Sequence, residues 1–356
     1  MKSRFKKAIA IISFIAAWDV SAKARDLSPD QQLAKAFALP LKAPEPETNK
    51  YSKTKVDLGA KLFFDPRLSL DGTVSCNSCH NVMASGSDNR PVSAGIKGQL
   101  GGRSAPTVFN AAFLSVQFWD GRASSLEEQA KGPLTNPMEM GMPDHGAVVS
   151  RVNSIEEYKA LFAKAFPGPN PVSIDNIAKA IASYERTLIT PNSPFDRWAR
   201  GDAKAMSESA KRGFKKMNEV GCTSCHSGVA FAGPSLPEGV GFFQKFPTFE
   251  NNLYVSKYDL KSDLGRAKVT GNASDEHMFR VPTLRNVATT APYFHNGKVP
   301  TLSDAIRVMA KTQLNRELND SEVNDIFSFL ESLTGSVPTQ QLPKLSVTSG
   351  TTLTPN

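Results

Sequence analysis

The chain has 356 residues, enough for two domains, and about half of its formal charge of +8 sits in the first 24 residues, where Lys2, Arg4, Lys6, Lys7 and Lys23 face Asp19 alone. No basic run is interleaved with aromatic residues, which argues against nucleic-acid binding. The hydrophobic fraction of 40% is low for the length, a deficit that bound apolar groups would make good.

The basic start is followed by a short apolar run, Ala8 to Ala17, and by small residues at Ala22-Lys23-Ala24. This is the pattern of a secretory signal cleaved after Ala24. About ten apolar residues are too few for a bilayer, which needs ~20, and no later run is longer. The expectation is an exported protein with no membrane span. Residues 25–54 read as a Pro- and Lys-rich extended leader. Val56, Leu58, Ala60, Leu62 and Phe63 then predict a short helix that ends before Asp65-Pro66.

Next comes Cys76-Asn77-Ser78-Cys79-His80, which recurs as Cys222-Thr223-Ser224-Cys225-His226. Cys-x-x-Cys-His is the attachment motif of a c-type haem. Two thiols add to the porphyrin vinyl groups, and the adjacent imidazole reaches under the ring to the iron. A redox dithiol needs no following histidine, and a four-cysteine zinc site explains neither histidine. The chain has no other cysteine, so two covalent haems are expected.

Residues 81–110 carry seven glycines and prolines and read as a long loop over the first haem, a length that is unusual without a function. Ser154-Ile155-Glu156-Glu157 has the form of a capping box ahead of a helix bearing Tyr158, Leu161 and Phe162. Ile174, Ile177, Ile181, Tyr184 and Leu188 mark another helix, broken at Thr190-Pro191-Asn192-Ser193-Pro194. The second half repeats the plan. A helix from Ser207 to Val220 leads into the second motif, and an irregular, aromatic stretch spans 227–275. A helix capped by Thr301 carries Leu302, Ala305 and Met309. A last helix through Val323, Ile326, Leu330 and Leu333 is stopped by Gly335, and a loose polar tail follows.

The predicted fold is mainly α: two cytochrome c-like helical haem domains in tandem, with long irregular loops and little strand. The expected boundaries are a signal at 1–24, an N-terminal domain at 25–190, a C-terminal domain at 191–336 and a tail at 337–356.

Function then turns on the sixth ligand of each iron. His145, His277 and His295 are free, as are Met83, Met138, Met140, Met142, Met206, Met217, Met278 and Met309, and composition does not choose among them. From Leu62 to Gly335, however, the chain resembles the bacterial dihaem cytochrome c peroxidases. The segments that carry the resemblance are Leu62 to Arg67 (LFFDPR), the two haem motifs, Arg103 to Asn110 (RSAPTVFN), Gln117 to Arg122 (QFWDGR), Asn136 to Gly141 (NPMEMG), Val281 to Asn286 (VPTLRN) and Pro292 to His295 (PYFH).

The resemblance implies that the haem on His80 meets peroxide and that the haem on His226 takes electrons from a donor. It makes Met309 the axial ligand of the second iron, a position that on periodicity alone would be core packing. It makes Glu139 the acid beside the first iron, Gln129 a peroxide-orienting amide, and Trp119 the tryptophan between the haems. It places His295 among the groups that support the haem site, hydrogen-bonded to a propionate or a carbonyl.

It also implies calcium at Ser104, Thr290 and Pro292, although a serine hydroxyl replaces the family's asparagine there and is a weaker ligand. The largest departure is Ile96, where many relatives carry a histidine that caps the first iron. Ile cannot ligate iron, so an accessible first haem is expected. His145 reads as a loop histidine rather than a substitute, and His277 takes no role.

The expected activity is periplasmic reduction of hydrogen peroxide, with electrons from a small redox protein, a cytochrome c or a cupredoxin. A homodimer is implied by resemblance alone. The rival readings are a dihaem oxidase acting on a protein substrate, as the methylamine dehydrogenase maturase does, and a dihaem electron carrier.

Overall fold

The structure, a computed structural model, describes residues 27–348, so the expected signal at 1–24 lies outside the described residues. In chain order the helices are α1 (Pro29–Ala34), α2 (Lys53–Phe64), α3 (Cys76–Cys79), α4 (Leu126–Thr135), α5 (His145–Asn153), α6 (Glu156–Ala165), α7 (Ile174–Glu185), α8 (Pro194–Ala199), α9 (Glu208–Val220), α10 (Leu253–Lys257), α11 (Ala267–Thr270), α12 (Leu302–Leu314) and α13 (Asp320–Ser332). Strands β1 (Phe243–Lys245) and β2 (Met278–Arg280) pair antiparallel, with Phe243 opposite Arg280 and Lys245 opposite Met278. The mainly helical expectation holds.

Local chemistry sets most helix ends. Ser173, Ser207 and Thr301 cap α7, α9 and α12 by accepting backbone N–H bonds from the first turn. Asn319 and Glu322 form a reciprocal capping box on α13. The box expected at Ser154 does not form. Helix α5, unforeseen in the sequence, runs up to that serine, and its hydroxyl donates back to the Arg151 carbonyl at 2.7 Å. Nor does Gly335 end α13 by turning left-handed. It lies where a Cβ would sit 1.9 Å from the Thr190 carbonyl oxygen, so it is a point of close backbone contact.

The two halves repeat one another closely. Helix α2 crosses α7 at Gly59, where a Cβ would meet the Ala180 carbonyl oxygen at 1.9 Å, and α9 crosses α13 at Gly213 against the Asp325 carbonyl at the same distance. After each haem motif a Pro-Thr-x-x-Asn turn recurs. Thr107 donates to Ser85 O at 2.7 Å and Thr283 to Ala230 O at 2.6 Å. Asn110 and Asn286 are both left-handed, at φ 64° and 59°. Further on, Phe118 and Phe294 share φ 67° and 68°, each inside a short antiparallel bridge, Gln117 with Ala123 and Tyr293 with Val299.

Each half has its own hydrophobic core, the first drawn from residues between Leu58 and Leu188 and the second from residues between Phe195 and Leu333. The ends of the chain cross over, which corrects two expectations. The first part of the leader, expected to belong to the N-terminal half, packs on the C-terminal core, while Asn49 near its end stays with the N-terminal half and donates to Glu127 and to the Lys179 carbonyl. Phe37 stacks on Phe231 at 5.0 Å, and its carbonyl accepts from Arg285 at 2.6 Å. The tail, expected to be loose, returns to the N-terminal half. Tyr184 donates to Gln340 at 2.7 Å and Arg67 to Ser346 O at 2.8 Å. Buried arginine and tyrosine donors need acceptors, and the termini supply them.

Because backbone sits where a methyl group would go, Gly59→Ala and Gly213→Ala are each expected to destabilise the protein by roughly 1–3 kcal/mol, read as a fall in the thermal unfolding midpoint with both haems retained.

Candidate active site

The first Cys-x-x-Cys-His is held by Ser75, whose side chain and that of Ser78 cap α3 reciprocally. His80 follows at the end of that turn, and its Nδ1 lies 3.0 Å from the Pro106 carbonyl. In the second half His226 Nδ1 lies 3.0 Å from the Phe231 carbonyl. Burial lowers the pKa of both imidazoles, so the rings are neutral. The Nδ1 proton goes to the carbonyl, and the Nε2 lone pair is left to ligate a metal. The first carbonyl is that of the proline of the Pro-Thr-x-x-Asn turn itself, and the second lies in the loop that Thr283 of the other turn ties down through Ala230 O at 2.6 Å. Arg285, fully buried, completes the second support by donating to Val229 O at 2.9 Å and pairing with Asp196 at 2.9 Å.

No disulfide joins any of the four cysteines, and burial pushes their thiols up, Cys222 to about 11. A zinc ligand or an attacking dithiol must be a thiolate, and these surroundings oppose one. Among the described residues no three His, Cys, Asp or Glu side chains gather to hold a metal ion, so the cysteines do not converge on one centre.

One cavity of about 560 Å³ joins the motifs, lined by Cys76, Cys79 and His80 on one side and by Cys222 and His226 on the other. Cys225 is not on the lining. Two thiol-bearing turns with neutral imidazoles around an apolar space are the donor set that covalent haem requires, so the residues fit two such groups.

The structure brings most of the other expected residues to the same cavity: Met309, Glu139, Gln129 and Trp119 all line it. Met309 projects from α12 beside Leu302, Ala305 and Ile306. Glu139 lies in the turn after α4, where Asn136 Nδ2 donates to its Oε1 at 2.9 Å. Burial raises its carboxyl pKa, against the opposing pull of Arg122 and of the Asn136 bond. Trp119 comes from the N-terminal half but packs on the C-terminal core, and its Nε1 donates to Ser104 O at 2.9 Å.

Ser104, Thr290 and Pro292 also line the cavity, but the Ser104 hydroxyl points to Arg90 O at 3.4 Å, and Asn89 Nδ2 bridges the Thr289 and Ala291 carbonyls at 2.9 and 2.8 Å. Ile96 does not face the cavity. It is buried, its N–H donates to Glu139 O at 2.8 Å, and its side chain packs over Gly141, where a Cβ would lie 2.2 Å from Ile96 Cδ1.

His145 opens α5 with Nε2 at 3.1 Å from Lys131 O and is not on the lining. His277, given no role, is buried with Nδ1 on Asp263 O at 2.9 Å. His295 is buried and stacks on Phe279 at 4.3 Å, and its Nε2 has no hydrogen-bond partner among the described residues. The expected carbonyl acceptor is therefore absent there.

Residues 53–204 match the family model described as di-haem cytochrome c peroxidase, and residues 279–313 match a RoxA-like, cytochrome c-like model. The chain is 44% identical over 332 residues to the cytochrome c551 peroxidase of Pseudomonas aeruginosa, covering 92% of each chain. It is 36% identical over 324 residues to the methylamine utilization protein MauG of Methylophilus methylotrophus, covering 87% of this chain and 91% of the relative. Among solved structures, a MauG-like protein associated with microbial copper homeostasis superposes with a TM-score of 0.72 at 28% identity, covering 83% of this chain and 95% of that one.

The chain belongs to the di-haem cytochrome c peroxidase family.

Sequence reasoning missed two things about this family member's site. One is the carbonyl support of both histidines, which the repeated Pro-Thr-x-x-Asn could have signalled. The other is a lining carboxylate, Glu185, which helical periodicity hid on an apolar face. The halves are also joined by charge. Arg103 bonds Asp263 at 2.5 Å and Asp120 at 2.6 Å. Burial alone would raise the Asp263 carboxyl, but bonds from Arg103 and the Gly265 N–H hold it well below the usual carboxylate range.

A depressed acid contributes stability that is present above its unfolded pKa of about 3.9 and lost as pH falls through the folded value. Asp263→Asn is therefore expected to lose on the order of 3 kcal/mol at neutral pH, with the gap from wild type in urea unfolding closing under strong acid.

Proposed function

We propose that this protein is an exported dihaem peroxidase that reduces hydrogen peroxide to two waters, consuming two electrons and two protons. The electrons come from a small redox protein, a monohaem cytochrome c or a cupredoxin. The observation that carries the reading is an asymmetry within a duplicated frame. Met309 lines one end of the shared cavity, and Glu139, a carboxyl with no salt-bridge partner among the described residues, lines the other. When bound, haem at His80 supplies the iron at which the O–O bond is split, and haem at His226 stores and passes electrons.

The protein's own groups divide the remaining work. Heterolysis needs a proton removed from the inner peroxide oxygen and one delivered to the outer. Glu139 does both in this reading, which is supported by its carboxyl being raised by burial and one oxygen being held by Asn136. Gln129 orients the peroxide. With Ile96 turned into the core, position 96 offers no side chain to the first iron. Met309 would ligate an iron held at His226, and a thioether there would raise its potential. Trp119, bridging the halves, lies on the electron path between them.

The protein-oxidising reading is weaker. The maturase it resembles has a tyrosine as axial ligand where this chain has Met309. Calcium at Ser104, Thr290 and Pro292 would be held by hydroxyl and carbonyl oxygens without a carboxylate, a weak donor set, so the cofactor assignment rests on the two haems. The basic, apolar and small-residue pattern of residues 1–24 supports export to the periplasm, and no helix among the described residues is long and apolar enough to cross a membrane. A homodimer rests on the family resemblance alone.

Glu139→Gln is expected to lower kcat with peroxide and a reduced donor by about 10²–10⁴-fold while a haemochrome assay still counts two haems. Unchanged turnover would remove Glu139 from the mechanism. In EPR of the fully oxidised protein the haem on His80 is expected to lack the low-spin bis-histidine signal, because neither Ile96 nor His145 can supply the second nitrogen.

A further inference from the structure

Four carboxylates line the cavity: Asp120, Glu139, Glu185 and Asp263. Asp120 and Asp263 are paired with Arg103, and Asp120 with Arg122 as well. Glu139 has its bond from Asn136. Glu185 has no such partner. It is 6% exposed, and its Oε2 is buried with no hydrogen-bond partner among the described residues. The adjacent guanidinium of Arg186 is committed to Glu127 through two bonds of 2.7 and 3.0 Å. Glu185 is also the last residue of α7, where the helix dipole opposes a negative charge.

Its position is defined by its neighbours. Ile181, one turn earlier on α7, lines the same wall, and Glu185 is the charge that acts most strongly on the Cys76 thiol. The charged and titratable groups around it are Arg186 and Tyr184 on its own helix, Glu127 from α4, and Glu139 on the far side of Cys76. Tyr184 donates its hydroxyl to Gln340.

A buried, unpartnered carboxylate is costly in a cavity of low dielectric, and the cost grows when an electron is added nearby. We propose that Glu185 is the proton-holding residue of the His80 half, taking up one proton when one electron reaches the haem tethered at Cys76 and Cys79 and releasing it when that electron leaves. The balance is closed: ferric iron becomes ferrous, the redox donor is oxidised by one electron, and the carboxylate becomes a carboxyl by forming one O–H bond. Burial pushes the Glu185 carboxyl up to about 8, so the carboxyl keeps its proton in both redox states below that pH and exchanges it above. The inference rests on the reading that haem occupies the His80 side and does not depend on peroxide being the substrate.

The test is a spectroelectrochemical titration of the purified dihaem protein, without peroxide, at pH values on either side of 8. In wild type the reduction equilibrium of the haem on His80 is expected to be flat below about pH 8 and to fall tenfold per pH unit above it, about 59 mV for a one-electron couple, while the haem on His226 shows no such slope. Glu185→Gln should abolish the slope and hold the wild-type acid-side potential throughout. Glu139→Gln should retain the slope, and Glu185→Asp should retain it with its midpoint displaced.

A Glu185→Gln protein with both haems and an unchanged slope overturns the proposal, as does a slope that disappears in Glu139→Gln instead. Should the Gln variant not fold, an unchanged profile in Glu185→Asp overturns it equally. A flat wild-type profile with peroxide turnover intact defeats the role of Glu185 alone, whereas absent turnover with the slope present defeats only the peroxidase reading.

Discussion

An imidazole has two nitrogens, and the partner of one decides what the other can do. In both halves of this protein Nδ1 is held by a backbone carbonyl at 3.0 Å, and burial keeps the ring neutral. Much of the surrounding architecture serves that pair of contacts. The threonine of each Pro-Thr-x-x-Asn turn ties the turn to the loop after the haem motif, and the left-handed asparagine sends the chain back along the end of α7 or α13. Those helices are drawn against α2 and α9 at glycines that admit no methyl group. A loosened helix crossing would therefore move a carbonyl, and the carbonyl would turn the ring.

The duplicated frame makes the differences between the halves informative. Where the support is shared, the residues are equivalent: Thr107 with Thr283, Asn110 with Asn286, Gly59 with Gly213. Where the cavity is lined, they diverge. Met309 of α12 has Pro133 as its counterpart on α4, and Glu185 of α7 has Leu330 as its counterpart on α13, all four on the cavity lining. The turn bearing Glu139 has no acidic counterpart on the wall around His226. Two copies of one unit thus hold two cofactors by the same means and surround them with different chemistry, sulfur in one and protonable oxygen in the other.

The haem motifs, the mainly helical class and the caps at Ser173, Ser207 and Thr301 were legible because each is a local rule: a fixed spacing, a period, a side chain that satisfies its own helix. Met309, Glu139, Gln129 and Trp119 were reached only through resemblance, since nothing local separates a ligand methionine from a core one. The misses are non-local. Ser154 has the capping pattern, but the end of α5 claimed its hydroxyl first. Gly335 looks like a left-handed stop and is instead a contact with Thr190, far away in the chain. The leader read as extended and the tail as loose because their partners, Arg285 and Tyr184, lie far away in the chain.

Glu185 shows why such residues escape sequence patterns. At Ile177, Ala178 and Ile181 the buried face of α7 is apolar, and a glutamate ending that face reads as the point where the helix meets water. The fold does not bring it to water. With its carboxyl raised to about 8, the folded chain holds a proton that the unfolded chain gives up above about pH 4.5, so burial of this one group costs about 3 kcal/mol at neutral pH. A leucine there would remove that cost and fill the same wall. The acid is unfavourable for folding in the cavity as it stands, which is the cost that the proposed proton-holding role would offset.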